Sequence, residues 1–168
     1  MIYVRCNDFH ERPPRSFAGN IIEEFESCGD VKNFVIDLRD NPGGAPVRAV
    51  YDLMAFIIEN RDAIDDVYVV INRRTASYAV ITAATIKTQI ERVTLIGEPA
   101  GQPPNIFFQD VVFEEIQTHD LKYRVSRILH RSWPGYEYDA LMPDIHIPHL
   151  FSDVLIGYDA VLHYIESN

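Results

Sequence analysis

A serine stands where an apolar run gives way to a helical pattern: "VYVVIN" leads into "RTASYAVITAATIK", with Ser77 at the corner. A serine hydroxyl becomes a nucleophile when a base takes its proton and donors receive the oxyanion formed at the attacked carbonyl. A helix start meets the second need, because its first N–H groups lack partners inside the helix and carry partial positive charge. Ser77 in such a corner offers a hydroxyl and, through the N–H of Tyr78, one oxyanion donor. The competing reading is a helix cap, for which Ser77 and Thr75 are equally suited.

A second candidate is the turn "DNPGG". Gly43 and Gly44 carry no side chain to block a ligand from their N–H groups, although a plain strand-to-helix turn needs the same residues. Neither glycine-rich phosphate-binding pattern is present. Among the six histidines, His146 and His149 lie three apart in an extended segment and so face opposite sides. No metal-ligand spacing of His or Cys occurs, so no metal or other cofactor is expected. His10 sits in a loop beside prolines, His163 on a closing helix, and His119 and His130 in solvated strand-like segments. Glu137, in the loop "SWPGYEYDALMPD", is the carboxylate to follow, since loops carry a large share of functional groups; a solvated loop charge is its ordinary alternative.

The elements that would position these residues alternate. "IYVRC", "NFVIDLR", "VYVVIN" and "VTLIG" read as strands rich in branched residues. Between them, helical spacing recurs at Phe17, Ile21, Ile22 and Phe25, then at Val50, Leu53, Met54, Ile57 and Ile58, then in the stretch after Ser77. Helices between such strands predict an α/β fold with a mainly parallel sheet and crossover connections. From "EPAGQPPN" onward the pattern changes to an irregular β region, with strands in "IFFQDVVFEEI", "LKYRVSRIL" and "IHI", before a closing amphipathic helix, "LIGYDAVLHYIE".

At 168 residues and 47% hydrophobic content the chain suits one globular domain. Its net charge of −10 argues against a nucleic-acid partner, whose phosphates need clustered Lys and Arg, and against anionic lipid. No apolar run reaches the roughly 20 residues of a membrane-spanning helix, and the first residues lack a signal-peptide pattern, which leaves localisation open. Cys6 and Cys28 either pair or stay free.

Several stretches taken together resemble one family. "VKNFVIDLRDNPGG", "INRRTASYAVITAATIK", "VTLIGEPAGQPPN" and "MPDIHIPHLFSDVLIGYDAVLHYI" occur in the order found in tail-specific proteases, the carboxy-terminal processing peptidases, whose relatives include the tricorn protease core. The resemblance spans roughly residues 30–166. It implies a ClpP/crotonase-like fold and a serine endopeptidase with a peptide substrate. By position, the serine of "TAS" is the nucleophile, Ser77, and the N–H of Tyr78 with that of Gly43 or Gly44 forms the oxyanion hole.

The general base departs from the family. Many members place a lysine 25 residues after the serine, where this chain has Gln102. The stretch is instead similar to a tricorn-like subgroup that uses histidine. A supporting glutamate six residues before the Pro of "PD" matches Glu137, six before Pro143. The histidine belongs to an upstream segment that does not occur here, and neither does the family's PDZ module. The base is therefore expected outside this chain. Val80 also departs, since members often carry Glu there. The alternative is a catalytically inactive peptide-binding domain of the same fold; a crotonase-like acyl-CoA enzyme ranks behind both.

Overall fold

The computed structural model describes residues 1–7, 9, 21–23, 25, 27, 31–44, 48–107, 111–116 and 121–168. His10, Cys28 and His119 lie outside them, so their expected roles are not addressed.

Five strands make one parallel sheet. They are β1 (Ile2–Arg5), β2 (Val31–Asp37), β3 (Ile64–Ile71), β4 (Val93–Gly97) and β9 (Ile145–His146), paired in the order β1-β2-β3-β4-β9. The expected α/β architecture with a mainly parallel sheet is what the chain adopts. Strand residues alternate between two cores, as the two-residue period of a strand requires. Phe34, Ile36, Val67, Val69 and Leu95 pack into the larger cluster, while Val35, Tyr68, Val70 and Ile96 meet Val161 and Ile165 on the other face. Both faces are covered, which explains why these strands read as continuous apolar runs.

Helix α1 (Arg48–Glu59) and helix α2 (Tyr78–Gln89) connect the strands on the larger-core face. In α1, Val50, Leu53, Met54 and Ile57 are buried as their spacing predicts. Phe56 joins them, whereas Ile58 is exposed, because it falls past the edge of the face those residues share. Helix α2 is buried on most of its circumference, with Ala79, Ala83 and Ala84 letting neighbours approach closely.

The irregular region divides more finely than the sequence pattern. The first stretch gives β5 (Asn105–Phe107) and β6 (Val111–Ile116), and the second gives β7 (Leu121–Ser126) and β8 (Leu129–Arg131). These pair antiparallel as β5–β8 and β6–β7. The closing helix is likewise two pieces, α3 (Phe151–Leu155) and α4 (Ala160–Ser167), separated at Gly157, which takes φ +68°. Asp159 caps α4 by accepting from the N–H groups of Val161 and Leu162.

That cap is latched to the sheet. Arg39 Nη2 lies 2.7 Å from Asp159 and 2.7 Å from Asp37, whose side chain is fully buried. Burial of Asp159 pushes its carboxyl up, but the Arg39 hydrogen bond, the helix N–H groups and the Arg39 charge outweigh it and hold the carboxyl below its usual range. Asp37 also accepts from the Tyr3 hydroxyl at 2.5 Å. Burial, then this hydrogen bond and the Asp37 charge, push the Tyr3 phenol up to about 12.

A phenol that titrates higher folded than unfolded stabilises below its unfolded value of about 10 and loses that contribution as pH rises through 12. The thermal midpoint should therefore fall between about pH 10 and 12, and Tyr3→Phe should remove part of that slope. An identical slope in the variant would show that Tyr3 does not carry it.

Candidate active site

The strands of the five-stranded sheet run parallel, so the loops that follow them emerge at one edge. The loop after β3 is folded by its own polar residues. Asn72 N–H donates to Thr75 Oγ1 at 3.0 Å, and Thr75 Oγ1 donates to the Leu38 carbonyl at 2.8 Å, fixing this loop to the end of β2. Thr75 is therefore a buried tie between strands and does not cap the helix.

Ser77 follows with φ 52° and ψ −125°, a backbone that non-glycine residues rarely adopt. It occupies the residue before α2, but its hydroxyl makes no cap hydrogen bond. The first turn of α2 is closed by the backbone instead, through Ala79 N–H to the Ala76 carbonyl and Val80 N–H to the Ser77 carbonyl. The Ser77 hydroxyl is half-buried and, among the described residues, uncommitted.

The turn after β2 reaches the same place. Gly43 has φ +98°, and a Cβ on it would stand 2.7 Å from Ser77 Cβ, 2.8 Å from Tyr78 N and 3.0 Å from the Ala76 carbonyl oxygen. The two distant motifs thus touch through bare backbone, an approach that only glycine permits. The Gly43 N–H is held by Asn41 Oδ1 at 2.8 Å. Among the described residues, the N–H groups of Gly44 and Tyr78 have no partner. Gly44 also has a positive φ, +144°, and is exposed.

Asn41 organises this junction, a role beyond the turn chemistry of its motif. It is fully buried. Its Nδ2 donates to the Cys6 carbonyl at 2.8 Å, its Oδ1 holds Gly43, and its own carbonyl accepts from Ala76 N–H at 3.0 Å. One side chain and its carbonyl thereby join the ends of β1 and β2 to the serine corner. An asparagine beside Pro-Gly-Gly was the available signal, but turn formation alone accounts for that composition.

The loop after β4 packs behind the corner. Gly101 N–H donates to the Thr75 carbonyl at 3.0 Å, and a Cβ there would lie 2.6 Å from the Arg73 carbonyl oxygen. Leu141 accepts from Ala100 N–H and donates its own N–H to the Gln102 carbonyl, so the loop bearing Glu137 is fastened to the same segment. Glu137 itself is exposed and, among the described residues, makes no hydrogen bond. The structure joins Ser77, Tyr78 and Gly43, and it leaves Glu137 on the surface of a neighbouring loop.

Several other candidates have structural roles. Asp144, of "PDI", accepts from Leu95 N–H at 2.7 Å and from Lys87 at 2.8 Å, which ties β9 to β4 and α2. Val80 is fully buried in the larger core, a place for an apolar side chain. His146, His149 and His163 are exposed, and no group of three or more metal-ligating side chains occurs among the described residues. His130 is half-buried and lines a cavity beside Tyr78. Cys6 is buried.

Comparison with known proteins agrees with this architecture. The chain is similar to peptidase family S41, whose model matches residues 1–64, a span that holds Gly43 and Gly44 and stops short of Ser77. Among solved structures it resembles a photosystem II D1 C-terminal processing protease, with TM-score 0.55 and 15% identity over 87% of this chain and 42% of that one. A Streptococcus agalactiae lipoprotein gives TM-score 0.52 and 13% identity, covering 97% of this chain and 65% of that one. An S41 protease from Bacteroides fragilis NCTC 9343 gives 0.53 and 14%, covering 84% and 46%. The expected resemblance to carboxy-terminal processing peptidases and their fold is borne out. This chain spans less than two thirds of the length of each of these structures. No curated protein matches it. No helix among the described residues is long and apolar enough to cross a membrane.

Proposed function

We propose that the chain is a serine peptidase domain in which Ser77 Oγ attacks a peptide carbonyl. The N–H groups of Tyr78 and Gly44 receive the oxyanion, because Asn41 already occupies that of Gly43. Gly43 is then the spacer that lets the two loops meet, and Asn41 the positioning residue. Glu137 orients a histidine supplied from outside this chain, as in the tricorn-like subgroup, and the histidine takes the serine proton. No cofactor enters this reaction, and the substrate is an extended peptide.

The observation that carries this reading is the contact between Gly43 and the strained Ser77 corner, with the serine hydroxyl not spent on capping. One finding favours a second reading, an inactive peptide-binding domain: Gln102 stands where many relatives have their base, and Glu137 has no partner among the described residues.

Fluorophosphonate labelling separates the two. The chain should label at Ser77, slowly because its base lies outside it, and Ser77→Ala should abolish the signal. Labelling that persists in Ser77→Ala would exclude Ser77 as the nucleophile. Absence of labelling in both, with peptide binding retained, would favour the binding domain.

A further inference from the structure

A cavity of about 480 Å³ opens beside the first turns of α2, bounded by α1 and the end of β8. Tyr78, next to the proposed nucleophile, forms part of its wall, and the hydroxyls of Tyr78 and Tyr51 stand 3.3 Å apart there. His130, Arg131 and Ser132 line it from β8 and the residue after. The chain has a net charge of −10, yet the described lining of this cavity includes an arginine and a histidine and no Asp or Glu. Its donors are also undercommitted. Ser132 Oγ is buried without a hydrogen-bond partner, and the Tyr78 hydroxyl donates to that of Tyr51, whose own proton has no acceptor among the described residues. Thr82, by contrast, spends its proton on the Tyr78 carbonyl at 2.8 Å. A buried donor without a partner is costly and marks a place where an acceptor belongs.

We propose that this cavity binds a carboxylate of a peptide, with Arg131 as the charged anchor and the Tyr51 and Ser132 hydroxyls as neutral donors. A guanidinium suits this task because its N–H fork matches the two oxygens of a carboxylate. The carboxylate comes either from an acidic side chain or from a free C-terminus. The relevance of this site to cleavage rests on the reading of Ser77 as a nucleophile, but binding itself does not.

The test is fluorescence-anisotropy binding to the full chain carrying Ser77→Ala, so that no peptide is cut. Four matched peptides are used: one with an internal Glu and an amidated end, its Gln counterpart, one with a free C-terminus and no acidic residue, and its amide. The Glu peptide should outbind its Gln form about tenfold if the side chain is read, and the free acid should outbind its amide if the C-terminus is read, the scale of a charge-assisted hydrogen bond. Arg131→Gln should erase whichever difference appears and leave the neutral peptides unchanged. Tyr51→Phe should reduce it about threefold, and this second variant guards against a misfolded Arg131 variant. Equal binding within both pairs, or a difference that survives both variants, overturns the assignment. A carboxylate preference alongside absent labelling of the unmutated chain would leave this site standing and remove the peptidase reading.

Discussion

Gly43→Ala is expected to cost several kcal/mol of stability and to abolish labelling at Ser77. Two effects act together. At φ +98° an L side chain is strained, for which about 1–3 kcal/mol is typical. The new methyl would also stand within 3.0 Å of Ser77 Cβ, Tyr78 N and the Ala76 carbonyl oxygen, so the turn or the corner must shift, adding roughly 1–3 kcal/mol. Gly135→Ala separates these contributions. Gly135 has φ +81° but open space around its missing Cβ, so it reports strain without the clash. Urea denaturation should show a clearly larger loss for Gly43→Ala. Equal losses in the two variants would mean that the contact with Ser77 carries no energy, and the proposed meeting of the two loops would go with it.

Gln102→Lys is expected to raise the rate of fluorophosphonate labelling about 100-fold, the lower end of what a general base contributes. The resemblance places a lysine at this position. Here the backbone of residue 102 is already pinned, with Gly101 bonded to Thr75 and the Gln102 carbonyl bonded to Leu141 N–H. Gln102 is half-buried, so an ammonium there would be partly desolvated and its pKa lowered toward the working range of a base. The labelling rate should then climb with pH through that lowered pKa, because only the neutral amine accepts a proton. An unchanged rate in a variant that melts normally would place the side chain away from Ser77 and detach this loop from the family's catalytic arrangement.

The strands were legible because burial on both faces leaves an unmistakable run of branched residues in "NFVIDLR", "VYVVIN" and "VTLIG". Breaks within a pattern were not. Gly157 stops the closing helix by taking a left-handed conformation, while apolar residues on either side keep the helical spacing going. At the site, periodicity located the serine corner but could not distinguish a cap from an uncommitted hydroxyl. That distinction lies in the backbone angles of Ser77, sustained by the Asn41 carbonyl, which accepts from Ala76 N–H, and by Thr75 Oγ1, which donates to the Leu38 carbonyl. Asn41 was hidden for the same reason, since its partners Cys6 and Ala76 are distant in sequence.

Because every strand of the sheet points the same way, the groups discussed above hang from a single rim while the hydrophobic layers beneath are indifferent to what hangs there. A lineage with this scaffold can trade one reactive side chain for another, or lose reactivity altogether, with little penalty to folding. The exceptions are the few rim residues that also act as fasteners.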